Sequence, residues 1–148
     1  MKLEFDRDQL VKGLAKIGSV VEKKTTMPVL GNVLLEAKDK TLRLIATDLE
    51  TTIQSECPVK VIEDGNACIP ARNLIDIIKE LPERTGRMKK GENEWIAIES
   101  GKAHFRVVGA PADKFPRVLD QTQFKFMKIR TETLRSAIEK TSFAISTD

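Results

Sequence analysis

The order of hydrophobic and polar residues predicts a strand, a helix and then a sheet in the first third of the chain. Leu3 and Phe5 alternate with polar residues, which is typical of a half-buried strand, and Asp6 followed by Gln9 resembles a capping box at a helix start. The apolar positions of the helix are Leu10, Leu14, Ile17 and Val21, and three strands are predicted to follow at residues 32–37, 41–46 and 51–56. Short strands joined by turn residues indicate an antiparallel sheet.

The same succession of elements then begins again. Strands are predicted at residues 59–62 and 67–69, a helix over residues 71–81, and a hairpin at residues 95–99 and 102–108. The two helices superpose in register, since 74 − 10 = 64 separates Leu74 from Leu10. A repeat of this kind predicts an α+β fold built from a doubled β-α-β-β-β unit, with both helices side by side on one face of antiparallel sheets.

A third copy of the pattern opens near the end of the chain. Phe124, Phe126 and Ile129 predict a strand, and Thr131 is placed to cap a helix that carries Leu134 and Ile138. Residues 109–120 contain two prolines and are interpreted as a linker. We therefore expect one domain over residues 1–120, followed over residues 121–148 by the truncated start, a strand and a helix, of a second domain.

Composition argues against a catalytic or metal centre. Cys57 and Cys68 lack the CxxC spacing of a zinc site, His104 is the one histidine, and no Walker A, GxGxxG or HExxH motif is present. We expect no cofactor and no metal. An enzyme remains a minor alternative, and it would need Asp48 with Glu50, or one of the two thiols, to act without a visible partner. The lack of a long apolar run or signal peptide predicts a cytoplasmic protein with no membrane partner.

Basic residues on the first helix suggest a contact with phosphates. The net charge is only +3, but Lys12, Lys16 and Lys23 fall in a narrow sector opposite the apolar stripe. Arg72 and Lys79 mark the two ends of the second helix. A solvated helix face is the competing interpretation. The absence of tyrosine and the single tryptophan make base stacking on single strands an unattractive alternative.

Five short motifs, in order, resemble the bacterial sliding clamps, the β subunits of DNA polymerase III. The motifs are residues 28–32 (PVLGN), 46–50 (ATDLE), 69–72 (IPAR), 112–116 (ADKFP) and 141–144 (TSFA). The resemblance implies the DNA-clamp fold, in which two subunits close head to tail into a homodimeric ring around duplex DNA. Helices would line the pore and the sheets would form the outside. It also implies a non-catalytic processivity factor that tethers the polymerase during DNA replication.

The resemblance also assigns roles to individual residues. Contacts with DNA, independent of its sequence, are implied for Lys24 and Arg72, and pore positions are plausible for Lys12, Lys16 and Lys79. The interface with the second subunit is implied to include the apolar Ile77, Leu81 and Phe105, flanked by Lys102 and His104. Polymerase and clamp loader would bind only through domains outside these residues.

The predicted interface leads to a further expectation and an alternative. In the isolated chain, Ile77, Leu81 and Phe105 should form an exposed apolar patch beside an open strand edge, through which the chain would self-associate. A freestanding protein-interaction domain that uses this edge and patch is the alternative function.

Overall fold

A computed structural model describes residues 1–21, 27–116 and 125–145 of the chain. The chain divides into two compact units, Met1–Arg117 and Val118–Asp148. Among the described residues, no helix is both long enough and apolar enough to cross a membrane.

The first unit contains the predicted β-α-β-β-β succession twice. Its first half comprises β1 (Lys2–Asp6), α1 (Arg7–Ile17), β2 (Asn32–Lys38), β3 (Thr41–Thr47) and β4 (Thr52–Glu63). Its second half comprises β5 (Gly65–Pro70), α2 (Ala71–Lys79), β6 (Thr85–Lys90), β7 (Trp95–Ser100) and β8 (Ala103–Val108). The two halves confirm the repeat deduced from the hydrophobic pattern.

The eight strands form a sheet in the order β5-β2-β3-β4-β1-β6-β7-β8, and every pairing is antiparallel. The long strand β4 joins the two halves, because it pairs with β3 as far as Pro58 and with β1 from Val59 onward. The sequence predicted two strands here. The structure has one continuous strand, Thr52–Glu63, and Pro58, which cannot donate a ladder hydrogen bond, lies where this strand changes neighbours.

The two helices pack next to each other on one face of the sheet. Their stripes are buried as the 64-residue offset predicts, namely Leu10, Leu14 and Ile17 from α1 and Leu74, Ile78 and Leu81 from the α2 region. Leu3 and Phe5 of the central strand β1 complete the same core from the sheet side. The helix side of the unit and the strand side are therefore distinct surfaces.

Two segments of the first unit differ from the sequence expectations. Strand β6 was not predicted, because only Met88 of its side chains enters the core, while Gly86 lies beneath the ring of Phe5. The supposed linker is packed in its first part, since Ala110 N donates to Cys68 O at 2.8 Å and Phe115 is buried. Neighbouring strands, and not local pattern, specify these segments.

The second unit contains helix α3 (Thr131–Thr141), followed by a 3₁₀ turn over Ser142–Ala144. The strand predicted from Phe124, Phe126 and Ile129 is wrong for residues 125–130, which form no strand, and Phe124 lies outside the described residues. Leu134 and Ile138 are 45% and 55% exposed, whereas the matching residues of α1 and α2 are buried. A strand needs a neighbour to pair its backbone, and residues 125–145 contain no such strand.

Candidate nucleic-acid interface

The exposed side of α1 carries two lysines, one helical turn apart. Lys12 and Lys16 lie opposite the buried stripe, and both are exposed. Neither forms an ion pair with another residue in the described part of the chain. Four residues of helix separate such side chains by about 6 Å along the axis, so both can address one phosphate backbone.

The exposed side of α2 adds Arg72 in its first turn and Lys79 in its last. Pro70 at the N-cap position makes no side-chain hydrogen bond to the helix. Helix N-termini with free N–H groups favour anions. Lys79 borders a crevice between the helices together with Val11, Leu14, Ala15, Gly18 and Ile75.

We call the surface that carries Lys12, Lys16, Arg72 and Lys79 the helix face. The structure brings these four predicted residues together on the helix side of the first unit. Lys24, the fifth predicted contact, lies outside the described residues. Several charges on the strand side are instead neutralised locally, as where Glu4 meets Lys60 at 3.1 Å and Arg87 at 3.4 Å. These two cations, Lys60 foremost, hold the pKa of the Glu4 carboxyl below its ordinary value.

Strand β8 lies at one end of the sheet, and no other described strand pairs with its free side. Ile77 and Phe105 are partly buried against the core near this edge, and Lys102 and His104 are exposed. The nearest described partner of His104 is Glu99 on β7, at 3.7 Å between Nδ1 and Oε1. Four of the five predicted interface residues thus remain available at or near the surface.

The exposed position expected for Leu81 is wrong. Its side chain is 2% exposed and belongs to the core. The sequence predicted that the helix continues through residue 81, which would place Leu81 one turn beyond Ile77 on the same face. Leu81 instead follows the repeat, because it stands 64 positions after Ile17 and both side chains are buried.

An unpredicted groove of about 460 Å³ borders the β8 edge. Its lining includes Ile77 and Asn73 from α2 and Trp95, Arg106 and Val108 from the last two strands. The Arg106 guanidinium carbon lies 4.9 Å from the centre of the Trp95 ring, which is within the range of a cation–π interaction. Trp95 pairs with Val108 across the two strands, a register that the sequence alone does not reveal.

The residues of the enzyme alternative have structural roles. Asp48 accepts a hydrogen bond from Glu50 N at 3.0 Å and another from Thr51 N, so it closes the turn between β3 and β4. Cys57 and Cys68 are buried free thiols, and burial raises the pKa of both. A thiol with a raised pKa is a poor nucleophile at neutral pH.

The sequence predicted the cap of α1 by Asp6 but missed the long-range contacts that join the start of this helix to Arg84 and Leu81. Asp6 caps the helix by accepting from Gln9 N at 3.0 Å, and it pairs with Arg84 Nε at 2.7 Å. Arg7 donates from its backbone N to Arg84 O and from Nη1 to Leu81 O, at 2.7 and 3.0 Å. These contacts join residues more than seventy positions apart, which no local pattern reveals.

Replacing Asp6 by asparagine should make the stability of the first unit less dependent on pH. The Arg84 side chain, and then the N–H of Gln9, hold the pKa of Asp6 below its ordinary value of 3.8. A carboxyl whose pKa is lower in the folded protein stabilises the fold at any pH above its pKa in the unfolded chain. This stabilisation is lost as the pH falls through the lower pKa of the folded protein. We expect Asp6→Asn, which can keep the cap, to melt below the native protein at neutral pH. The difference in melting temperature between the two proteins should disappear in acid below pH 3.8, as measured by thermal unfolding. A difference of constant size would mean that the charge of Asp6 does not stabilise the fold.

Known proteins resemble this chain in sequence and in architecture. Residues 1–120 match the family described as DNA polymerase III beta subunit, N-terminal domain. A beta sliding clamp of Vibrio harveyi is 31% identical over 145 residues, which cover 97% of this chain and 100% of that protein. A beta sliding clamp of Pseudomonas putida is 35% identical over 150 residues, covering 99% of this chain and 40% of the relative.

The structural comparison agrees with the sequence comparison. The DNA polymerase sliding clamp of Bacillus subtilis superposes with a TM-score of 0.93 at 28% identity, covering 100% of this chain and 41% of that one. The chain thus spans the full length of one relative and about 40% of others. The names of the relatives favour the clamp interpretation over a freestanding interaction domain. By sequence and by fold, the chain belongs to the family of bacterial β sliding clamps of DNA polymerase III.

Proposed function

We propose that these residues form the first domain, and the beginning of the second, of a clamp subunit whose ring encircles duplex DNA and tethers a replicative polymerase. The observation that carries the proposal is the helix face. Two adjacent helices present Lys12, Lys16, Arg72 and Lys79 on one side of an antiparallel sheet, without ion pairs in the described part of the chain. The same subunit would be cytoplasmic, associated with the nucleoid, and would catalyse no reaction itself.

Lysines and arginines on a helix face suit a protein that must slide. Phosphate contacts hold a protein on any DNA sequence and carry no sequence information. They weaken with salt, and each is weak enough to exchange during motion. A closed ring supplies persistence by topology, so a few such contacts are sufficient. Lys24, which the family resemblance implies as a further contact, is part of this proposal.

The β8 edge supports a head-to-tail contact with a second subunit. Ile77 and Phe105 provide apolar surface, and the unpaired backbone of β8 can accept another strand. On its outer side the edge carries the cations Lys102 and Arg106, with His104 between them. Two β8 strands paired with each other would place these cations together, and like charges opposite one another destabilise a sheet. The charge pattern therefore argues against the self-association that the sequence alone predicted, and it favours a different, acidic strand as partner. Polymerase and clamp loader would bind elsewhere on the ring.

Reversing the charge of the helix face should remove most of the affinity for duplex DNA. We expect the native chain to bind weakly, without sequence preference and with a marked salt dependence. The variant in which Lys12, Lys16, Arg72 and Lys79 are replaced by glutamate should bind roughly tenfold more weakly or worse. Its slope of log affinity against log salt should flatten by about 0.9 for each phosphate that the variant no longer binds. Fluorescence anisotropy on two unrelated duplexes measures both quantities.

The matched control reverses four exposed lysines away from the helices, Lys38, Lys40, Lys89 and Lys114. It changes the net charge by the same amount, so it separates the position of the charges from their number. The proposal requires a clearly smaller loss of affinity in this control. Equal losses in both variants, or a preference for one duplex, would contradict the assignment of the helix face.

A further inference from the structure

We propose that Arg7 is a positioning residue for DNA contact, because it ties the start of α1 to the end of α2 and so fixes how far one helix is displaced along the other. This inference rests on the proposed function of the helix face. It assigns to Arg7 a role that is distinct from a direct contact with phosphate.

Arg7 connects three parts of the first unit. It is the first residue of α1, its backbone N donates to Arg84 O at 2.7 Å, and its Nη1 donates to Leu81 O at 3.0 Å. Its Nε also meets Asp8 Oδ1 at 3.1 Å, so the guanidinium is held from two sides. A planar guanidinium suits such a bridge because its donors keep a fixed geometry.

The acceptor of this bridge is itself fixed. The side chain of Leu81 is buried in the core, so its carbonyl cannot move without disturbing the packing. A second connection runs in parallel, from Asp6 Oδ2 to Arg84 Nε at 2.7 Å, and Asp6 also caps α1. The start of α1 is thus attached to a rigid point just beyond the end of α2.

The other half of the repeat lacks this bridge. The 64-residue offset places Ala71 at the position of Arg7, since 71 − 7 = 64, and alanine has no donor. Arg72, the next residue, forms no ion pair in the described part of the chain. Within that part, side-chain hydrogen bonds tie the helix pair at one end only.

Directional contacts add to what sets the displacement between two packed helices. The hydrophobic effect between α1 and α2 is itself non-directional, so a hydrogen-bonded bridge at one end supplements the interdigitation of their side chains. Phosphates on one strand recur about every 3.4 Å along the DNA axis, so a shift of a few ångströms would move Lys79 out of step with Lys12 and Lys16. Arg7 would prevent that shift.

Arg7→Met tests the inference, with Arg43→Met as the matched control. Arg43 is also an arginine held by two contacts, to Glu36 at 3.4 Å and Glu56 at 3.5 Å, but it is more exposed than Arg7 and lies on β3 away from the helices. Both changes remove one positive charge and retain an unbranched side chain. The salt dependence of duplex binding and the thermal stability are measured for each variant.

A spectroscopic distance separates positioning from direct contact. Spin labels on Gln9→Cys of α1 and Asp76→Cys of α2, both exposed, report the displacement between the helices by pulsed electron resonance. The buried thiols of Cys57 and Cys68, whose pKa values are raised, should escape labelling. We expect Arg7→Met to broaden or shift the distance distribution and to flatten the salt slope by about 0.9, and Arg43→Met to leave the distribution unchanged.

Two results would overturn the inference while leaving the proposed function intact. If Arg7→Met flattens the salt slope at an unchanged distance, Arg7 contacts phosphate directly. If it lowers only the melting temperature, its role is confined to stability. Failure of the native chain to bind DNA would instead count against the proposed function, and the distance measurement would still decide whether Arg7 positions the helices.

Discussion

Replacing Leu81 by alanine is expected to lower the free energy of unfolding of the first unit by about 2–5 kcal/mol. The side chain is 2% exposed and packs in the common core of both helices and the sheet. Its truncation would remove buried apolar contacts and leave a cavity that the surrounding strands can fill only in part. Urea unfolding followed by the fluorescence of Trp95, the one tryptophan, reports on this unit alone.

Ile77→Ala is the control variant for Leu81→Ala. Ile77 lies four residues earlier but is only partly buried, and it borders the groove at the β8 edge. We expect a loss of about 1 kcal/mol or less. Similar losses at both positions would contradict the division into a core leucine and a surface isoleucine.

The distinction between core and surface residues near the β8 edge also predicts how the subunit assembles. Phe105→Asp should leave the first unit folded, because Phe105 is only partly buried on an edge strand. In the full-length subunit, however, it should prevent dimer formation in sedimentation experiments, since a carboxylate would be placed in an apolar contact. A variant that unfolds would instead make Phe105 a core residue.

The hydrophobic pattern was sufficient to predict the repeat, both helices of the first unit and the side of each helix that is buried. Leu10 and Leu74 are buried at matching positions because an amphipathic helix has one stripe that must leave water, whatever lies beneath it. The exposed lysines follow from the same geometry. The part of the candidate site that lies on regular helix was therefore predictable.

The remaining features depend on contacts between distant residues. Leu34 and Ile45 occupy outward positions by strand alternation, yet both are buried, as are their neighbour Cys68 and the later Phe115. The bridge from Arg7 spans 74 positions. Strand β6 exists because β1 and β7 pair with it. Single-sequence patterns contain no information about such partners.

Replacing Gly13 by alanine should destabilise the first unit by about 1–3 kcal/mol, although the same change in an exposed helix interior usually stabilises by about 1 kcal/mol. Gly13 is buried where α1 crosses the sheet. A methyl group there would overlap Cys57 Sγ and lie 2.9 Å from Leu44 Cδ1. The absence of a side chain therefore allows α1 to approach β3 and β4 closely, which also determines how the lysines on its opposite side are presented.

Gly18→Ala is the matched control for Gly13→Ala. Gly18 follows the same helix, has φ near −62°, and a methyl group there would meet its nearest atoms at ordinary distances of 3.6 and 3.7 Å. We expect its stability to stay within about 0.5 kcal/mol of the native protein or to rise. Adding Cys57→Ala to Gly13→Ala removes the overlapping sulfur, and a favourable coupling of about 0.5–3 kcal/mol should appear in the double-mutant cycle. If the two glycine variants are equally stable, or if the cycle shows no coupling, α1 does not pack against β4 as closely as the structure places it.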